Sequence, residues 1–274
     1  MEIINFEITK NISIKGFSLI HSKNDQLLFF VHGLASNSRL FLPVANKLFK
    51  LGYSSVGIDL RGHGNSSKPS KGYTLKTFSK DISTIIRKHL KVKPIFIGQS
   101  MGANLGVILA KKRKPIIQGC ICIDGGFINL KDKFPEWKQC KKQLTPPDLD
   151  HLKVSKLKEL IETYHPDWSK LSIQGTLNNW KVFNNLKIKK KLSVKKHLLL
   201  LKSLWSQKPN NIYQLNVSTL LINSTIKPNF ENIPSNTKII PLEGDHDIHA
   251  QKPGLVAKII NDEISKGFFS DHRN

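Results

Sequence analysis

The sequence predicts an α/β domain: a mostly parallel central sheet flanked by helices, interrupted by a helical insertion. Short, continuous apolar runs alternate with amphipathic stretches between Leu27 and Ile123, the β-α-β rhythm that winds into a parallel sheet. The rhythm lapses between Phe127 and Pro209, then resumes at Val217.

Each element has its own signal. Ile3–Ile8 and Ile12–Ile20 alternate apolar and polar residues around a turn at Thr9–Asn11, as an opening hairpin does. Gln26–Val31 is an apolar run ending at His32-Gly33, the pattern of a strand buried on both faces. Ser38–Lys50 carries Leu40, Phe41, Val44 and Leu48 at helical spacing and stops at Gly52. Tyr53–Leu60 is the next buried strand and runs into the glycine-rich turn Arg61-Gly62-His63-Gly64. An amphipathic helix at Leu75–Leu90, a strand at Pro94–Gly98, a helix at Met101–Lys112 and a strand at Ile116–Ile123 follow.

In the insertion strand-like runs disappear, and Pro135, Pro146, Pro147 and Pro166 punctuate short helices. Val217–Asn223 and Lys238–Leu242 then read as strands and Leu255–Ile264 as a closing helix. The division is a core of residues 1–126 and 210–274 with an insertion at 127–209.

Composition narrows the function classes. A chain of 274 residues that is 39% hydrophobic can bury a sizeable core without disulfide staples. No apolar run approaches the roughly 20 residues of a bilayer crossing, so no membrane span is expected. Cys120, Cys122 and Cys140 form no CxxC pair, and the default compartment is a reducing cytoplasm. The net charge of +23 invites a nucleic-acid reading. Yet the basic residues are almost all Lys, and Arg, the residue suited to bidentate phosphate and base contacts, is scarce. Nucleic acid is therefore not the expected partner.

The chemistry centres on Gly98-Gln99-Ser100-Met101-Gly102, a G-x-S-x-G between a strand and a helix. A tight strand-to-helix turn strains the serine backbone and lifts its hydroxyl above the sheet edge at the positive end of the helix. The plainer reading of Ser100 is a turn serine that caps the helix. Phosphate-loop, zinc-helix and dinucleotide fingerprints are missing.

With this motif the chain resembles the α/β-hydrolase fold family from about Leu27 to Ile264. His32-Gly33 is similar to the family's oxyanion loop, and Asp59-Leu60-Arg61-Gly62-His63-Gly64-Asn65-Ser66 to its D-x-R-G-x-G-x-S turn. The insertion sits where family members carry a cap over the active site. Gly244-Asp245-His246-Asp247 precedes the last helix, as the family's histidine loop does.

A serine hydroxyl needs a base to take its proton. His63 belongs to a structural turn, and His89, His197 and His272 lie in surface helices or the terminus. His246, in a loop after a sheet strand, is the candidate base, with His249 its rival; Asp245 stands where the family usually has Gly. The family's usual acid slot after Val217–Asn223 holds Lys227, which cannot accept the imidazole N–H. In some branches the acid instead ends the strand before the cap, which here is Asp124. Glu231 is a second candidate, and loss of the acid a third outcome. Backbone N–H groups of Leu34 and Met101 are the expected oxyanion hole.

The reading is a serine hydrolase of a small-molecule ester or thioester, with Ser100, His246 and Asp124 catalytic and no metal or organic cofactor implied. Carbon–carbon bond hydrolysis, peptidase action or a non-catalytic ligand receptor remain open on the same scaffold. The four tryptophans of the insertion either pack its core or line an acyl pocket. The insertion carries 18 lysines against 7 acids, so its positive charge is concentrated. Lys187, Lys189, Lys190, Lys191, Lys195 and Lys196 read as a solvated helix face, or as a field that steers an anionic substrate. Oligomeric state has no signature.

Overall fold

The computed structural model describes residues 1–22, 26–127, 129–208, 210–224, 230 and 232–270. Lys227, Glu231 and His272 lie outside them. The sheet strands are β1 (Glu2–Thr9), β2 (Ile12–Leu19), β3 (Leu27–Val31), β4 (Ser54–Ile58), β5 (Ile95–Gln99) and β6 (Gly119–Ile123). After a short ribbon, β7 (Trp180–Val182) with β8 (Ile188–Lys190), the sheet ends in β9 (Ser218–Asn223) and β10 (Thr237–Pro241). Among the described residues the spatial order is β1-β2-β4-β3-β5-β6-β9-β10. The β1–β2 hairpin is antiparallel and β2 pairs antiparallel with β4; every later pair is parallel.

Alternation along the parallel strands feeds two cores. Phe29, Val31, Phe96, Cys120 and Cys122 face one side, where helices α2 (Leu75–His89) and α3 (Met101–Ala110) bring Phe78, Ile82, Leu105 and Leu109. Leu28, Phe30, Ile97, Ile121 and Ile123 face the other. There α1 (Leu42–Lys50) and α10 (Pro253–Ser265) supply Val44, Leu48, Val256 and Ile260. Residues buried on successive positions explain why these strands read as unbroken apolar runs.

Between β6 and β9 the chain forms α4 (Leu130–Lys133), α5 (Trp137–Leu144), α6 (Val154–Tyr164), α7 (Lys170–Leu177), the β7–β8 ribbon and α8 (Val194–Trp205). A third cluster joins this segment to the main domain. Leu157, Ile161, Trp168, Ile173 and Ile188 pack with Leu40 and with Ala250 of α9 (Ile248–Gln251). Asn37 Nδ2 donates to Gly175 O (2.8 Å) and to Asn179 Oδ1 (2.7 Å), a polar pin beside that cluster.

Four sequence expectations change. The helix expected over Ser38–Lys50 is a 3₁₀ turn at Ser38–Phe41 followed by α1, because Pro43 fits only in a helix's first turn. The insertion does contain strands, but three-residue strands set among lysines are too short to show alternation. The lysine cluster is divided between that ribbon and α8, so it is no single helix face. His197 is buried, and its Nε2–H donates to Leu144 O at 3.0 Å, so it is not a surface residue.

Candidate active site

The carboxyl ends of β5, β6 and β9 lie side by side: Gln99 pairs with Ile123, and Ile123 with Ile222. Ser100, Asp124 and Ser224 each follow these ends within two residues. Parallel strands about 4.8 Å apart thereby gather three polar residues that are distant in sequence.

Ser100 sits at φ 53°, ψ −119°, a left-handed backbone that an L-residue adopts only under constraint. Its N–H donates to Ile123 O at 3.0 Å, which ties the turn to the neighbouring strand. Glycine is required on both sides. A Cβ at Gly98 would strike the backbone of Gly102, and one at Gly102 would strike Val31 O. The Ser100 hydroxyl is committed to no hydrogen bond among the described residues and sits at the N-terminus of α3.

Asp124 is fully buried, also at positive φ (42°). Its Oδ2 lies 2.6 Å from His246 Nδ1, and its Oδ1 accepts the N–H of Ser224 at 2.8 Å. The ring N–H therefore points at Asp124, and Nε2 is left for the cavity side. Gln99 Nε2 donates to His246 O (3.0 Å), and Ser224 Oγ to Asp245 O (2.6 Å), so two side chains from the sheet edge hold the histidine loop. Burial opposes charging of His246 and is the largest single influence. The Asp124 hydrogen bond and the fields of Asp247, Asp124 and Asp245 together outweigh it and raise the pKa above 6.5.

His249 is placed differently. It is buried against Phe41, with ring centroids 4.5 Å apart, and burial followed by the His246 charge lowers its pKa to about 3. It does not line the cavity that holds Ser100 and His246.

That cavity, of about 170 Å³, is walled by Leu34, Ala35 and Ser36 from the loop after β3 and by Trp168, Thr176 and Asn179 from the 127–209 segment. The N–H groups of Leu34 and Met101 have no acceptor among the described residues. Two buried histidines hold the Leu34 loop. His32 donates from Nδ1 to Gly33 O (2.7 Å) and accepts Leu60 N–H at Nε2 (3.0 Å). His63 donates from Nδ1 to Arg61 O (3.1 Å) and accepts Ala35 N–H at Nε2 (3.3 Å). Burial lowers both pKa values, which keeps each ring neutral and able to accept. The adjoining turn is fixed by Asp59, whose Oδ1 accepts Ser38 N–H and whose Oδ2 accepts Asn65 N–H, both at 2.8 Å. Arg61 forms a buried bidentate pair with Asp81 at 2.6 Å.

Sequence reasoning named Ser100, His246, Asp124, Leu34 and Met101, and the fold brings all five to one place. It missed Gln99, Ser224, Asn37, Thr176 and Asn179. Gln99 occupies the variable position of the motif, where the pattern carries no information. Among the described residues no group of His, Cys, Asp and Glu could hold a metal ion, and no helix is long and apolar enough to cross a membrane.

A family model described as the alpha/beta hydrolase fold matches residues 26–179. The 2-(acetamidomethylene)succinate hydrolase of Mesorhizobium japonicum is 33% identical over 117 residues, 43% of this chain and 39% of that protein's length. The chain thus spans well under half of that relative. A crystal structure of E-2-(acetamidomethylene)succinate hydrolase superposes with a TM-score of 0.76 at 19% identity, covering 96% of this chain and all of that one. A thioesterase domain from the curacin biosynthetic pathway superposes with a TM-score of 0.73 at 20% identity, covering 96% and 99%.

Proposed function

Because the chain belongs to the α/β-hydrolase family, we propose that it is a serine hydrolase cleaving a small-molecule ester or thioester through an acyl-enzyme. The observation that carries the reading is the 2.6 Å contact between Asp124 Oδ2 and His246 Nδ1, made on the wall of the cavity that Ser100 shares.

Ser100 Oγ attacks the carbonyl carbon while His246 Nε2 takes its proton. Asp124 keeps the imidazole in the tautomer with Nδ1–H and stabilises the imidazolium once it forms. The carbonyl oxygen, now anionic, is held by the N–H groups of Leu34 and Met101. In a well-studied hydrolase one such donor is worth about 3 kcal/mol of transition-state stabilisation. The imidazolium protonates the departing alcohol or thiol, leaving Ser100 acylated. Water then attacks the acyl carbon as His246 takes its proton, and the imidazolium returns that proton to Ser100 Oγ as the acyl–serine bond breaks and the acid leaves.

Residues 127–209 act as the cap: Trp168, Thr176 and Asn179 close the cavity from above. A volume of about 170 Å³ is small beside the ~300–1,000 Å³ of drug-sized sites, which favours compact acyl groups. The buried free thiols of Cys120, Cys122 and Cys140 fit a reducing cytoplasm.

Labelling with a fluorophosphonate probe tests the reading. The wild-type chain takes the label, Ser100→Ala does not, and kcat on 4-nitrophenyl acetate falls by about 10⁶. Near-native turnover by Ser100→Ala would overturn it.

A further inference from the structure

Beside the catalytic cavity lies a second one of about 150 Å³. The two share Ala35, Ser36 and Asn179 as common wall, and the second adds Trp180, Lys190 and Lys191 from the 127–209 segment. Its lining carries two ammonium groups and no carboxylate among the described residues. Lys191 Nζ donates to Asn65 Oδ1 (3.0 Å) and Asn178 Oδ1 (3.1 Å), neutral amides that use two of its three hydrogens. Lys190 Nζ donates to Pro147 O at 3.1 Å, and the fields of Asp150 and Asp148 partly offset its burial, so Lys191 is the less compensated of the two. Among the described residues neither ammonium has a carboxylate within ion-pair distance. Among the described residues the indole N–H of Trp180 has no partner, but it is buried out of reach of the cavity; Asn179 spends its oxygen on Asn37, leaving its NH₂ to donate.

We infer that this cavity is an anion subsite, and that the substrate is an ester or thioester bearing a carboxylate or comparable anionic group beside the scissile carbonyl. The inference rests on the serine-hydrolase reading for the reaction and on Lys191, with Lys190 and Asn179 beside it, for the anion. Burial weakens the charged state of Lys191, with Asp59 partly offsetting it. Asp59 is itself occupied by Ser38 and Asn65, so it is not a partner for Lys191. An anion placed in the cavity would supply the charge that the ammonium lacks. The third hydrogen of Lys191 and the Asn179 amide are donors to such a group, and the described lining residues include no carboxylate that would repel it. Because the two cavities share a wall, the anion belongs to the same small molecule as the carbonyl.

The test compares 4-nitrophenyl hydrogen glutarate with the neutral 4-nitrophenyl pentanoate, similar in length, in wild type, Lys191→Met, Lys191→Arg and Lys189→Met. The wild type should favour the anionic ester in kcat/KM. Lys191→Met should cut the anionic-to-neutral ratio about tenfold or more, as expected for a charge-assisted hydrogen bond. The pentanoate rate should be nearly unchanged. Lys191→Arg should restore part of the preference. Lys189 is exposed on the same ribbon and outside the cavity, so Lys189→Met should leave the ratio alone. An unchanged ratio in Lys191→Met, or an equal fall in Lys189→Met, overturns the subsite. If neither ester is turned over, the serine-hydrolase reading fails. Glutarate titrated calorimetrically into wild type and Lys191→Met then decides the subsite by itself: weaker binding in the variant upholds it, and equal or no binding overturns it. Inorganic phosphate in a parallel titration tells a carboxylate preference from a phosphate one.

Discussion

Asp124 and His246 stand 122 residues apart in the chain, yet Asp124 Oδ2 lies 2.6 Å from His246 Nδ1. The contact comes from strand order. β6 lies between β5, which is followed directly by Ser100, and β9, whose following residue donates its N–H to the second Asp124 oxygen. The loop after β9 thus supplies a hydrogen-bond donor to Asp124, and the described part of that loop gives His246 no carboxylate of its own.

Asp124→Asn should therefore lower kcat by about 10⁴, the cost of holding the imidazole in the wrong tautomer in the best-studied triad. Steady-state kinetics on an activated ester gives the comparison. Glu231→Gln should leave kcat within about twofold of wild type. The reverse ranking moves the acid to the later loop.

The pH profile follows from the direction of the His246 shift. The base works only when neutral, so kcat/KM should rise with pH through an apparent pKa above 6.5. In Asp124→Asn a hydrogen bond and a charge that favour the imidazolium are gone, so the residual activity should hold to lower pH. Folding linkage runs the opposite way. A raised histidine pKa adds stability that is fully present below pH 6.5 and lost as pH rises through the folded value. A wild-type limb at or below 6.5 would remove Asp124 as a partner of the base.

Gly102→Ala should damage both fold and site. The new Cβ would strike Val31 O and come 2.7 Å from His32 O, both backbone atoms with no rotamer to yield. A loss of about 1–3 kcal/mol is expected from overpacking of this kind. The shift passes through His32 to the Leu34 N–H, so kcat should fall with the melting temperature. A variant that melts lower but keeps full kcat would show that the Leu34 loop does not depend on this packing.

The parallel sheet and its buried strands were legible because a strand covered on both faces has to be apolar at every position, as Leu28–Val31 and Ile95–Ile97 are. The β7–β8 ribbon was not, since three residues flanked by lysines leave no period to detect. Nor was the burial of His197, which depends on the Leu144 carbonyl 53 residues away in sequence. Sequence favoured His246 over His249 from its place in the loop, but the reason they differ is tertiary: the two are three positions apart, and packing sends one against Phe41 and the other to the cavity.

The sequence by itself determined the strand-turn-helix around Ser100, because two glycines and a buried strand are local requirements of that backbone. It also placed Asp124 at the carboxyl end of its strand and His246 in the loop after the last strand. Tertiary structure alone decided which carboxylate meets the imidazole, that Gln99 and Ser224 hold the histidine loop, and that Lys190 and Lys191 wall a cavity beside the nucleophile. These are contacts between side chains tens of residues apart. Their geometry is set by strand order and by how the 127–209 segment packs on Leu40 and Ala250, and neither leaves a period or a motif in the chain.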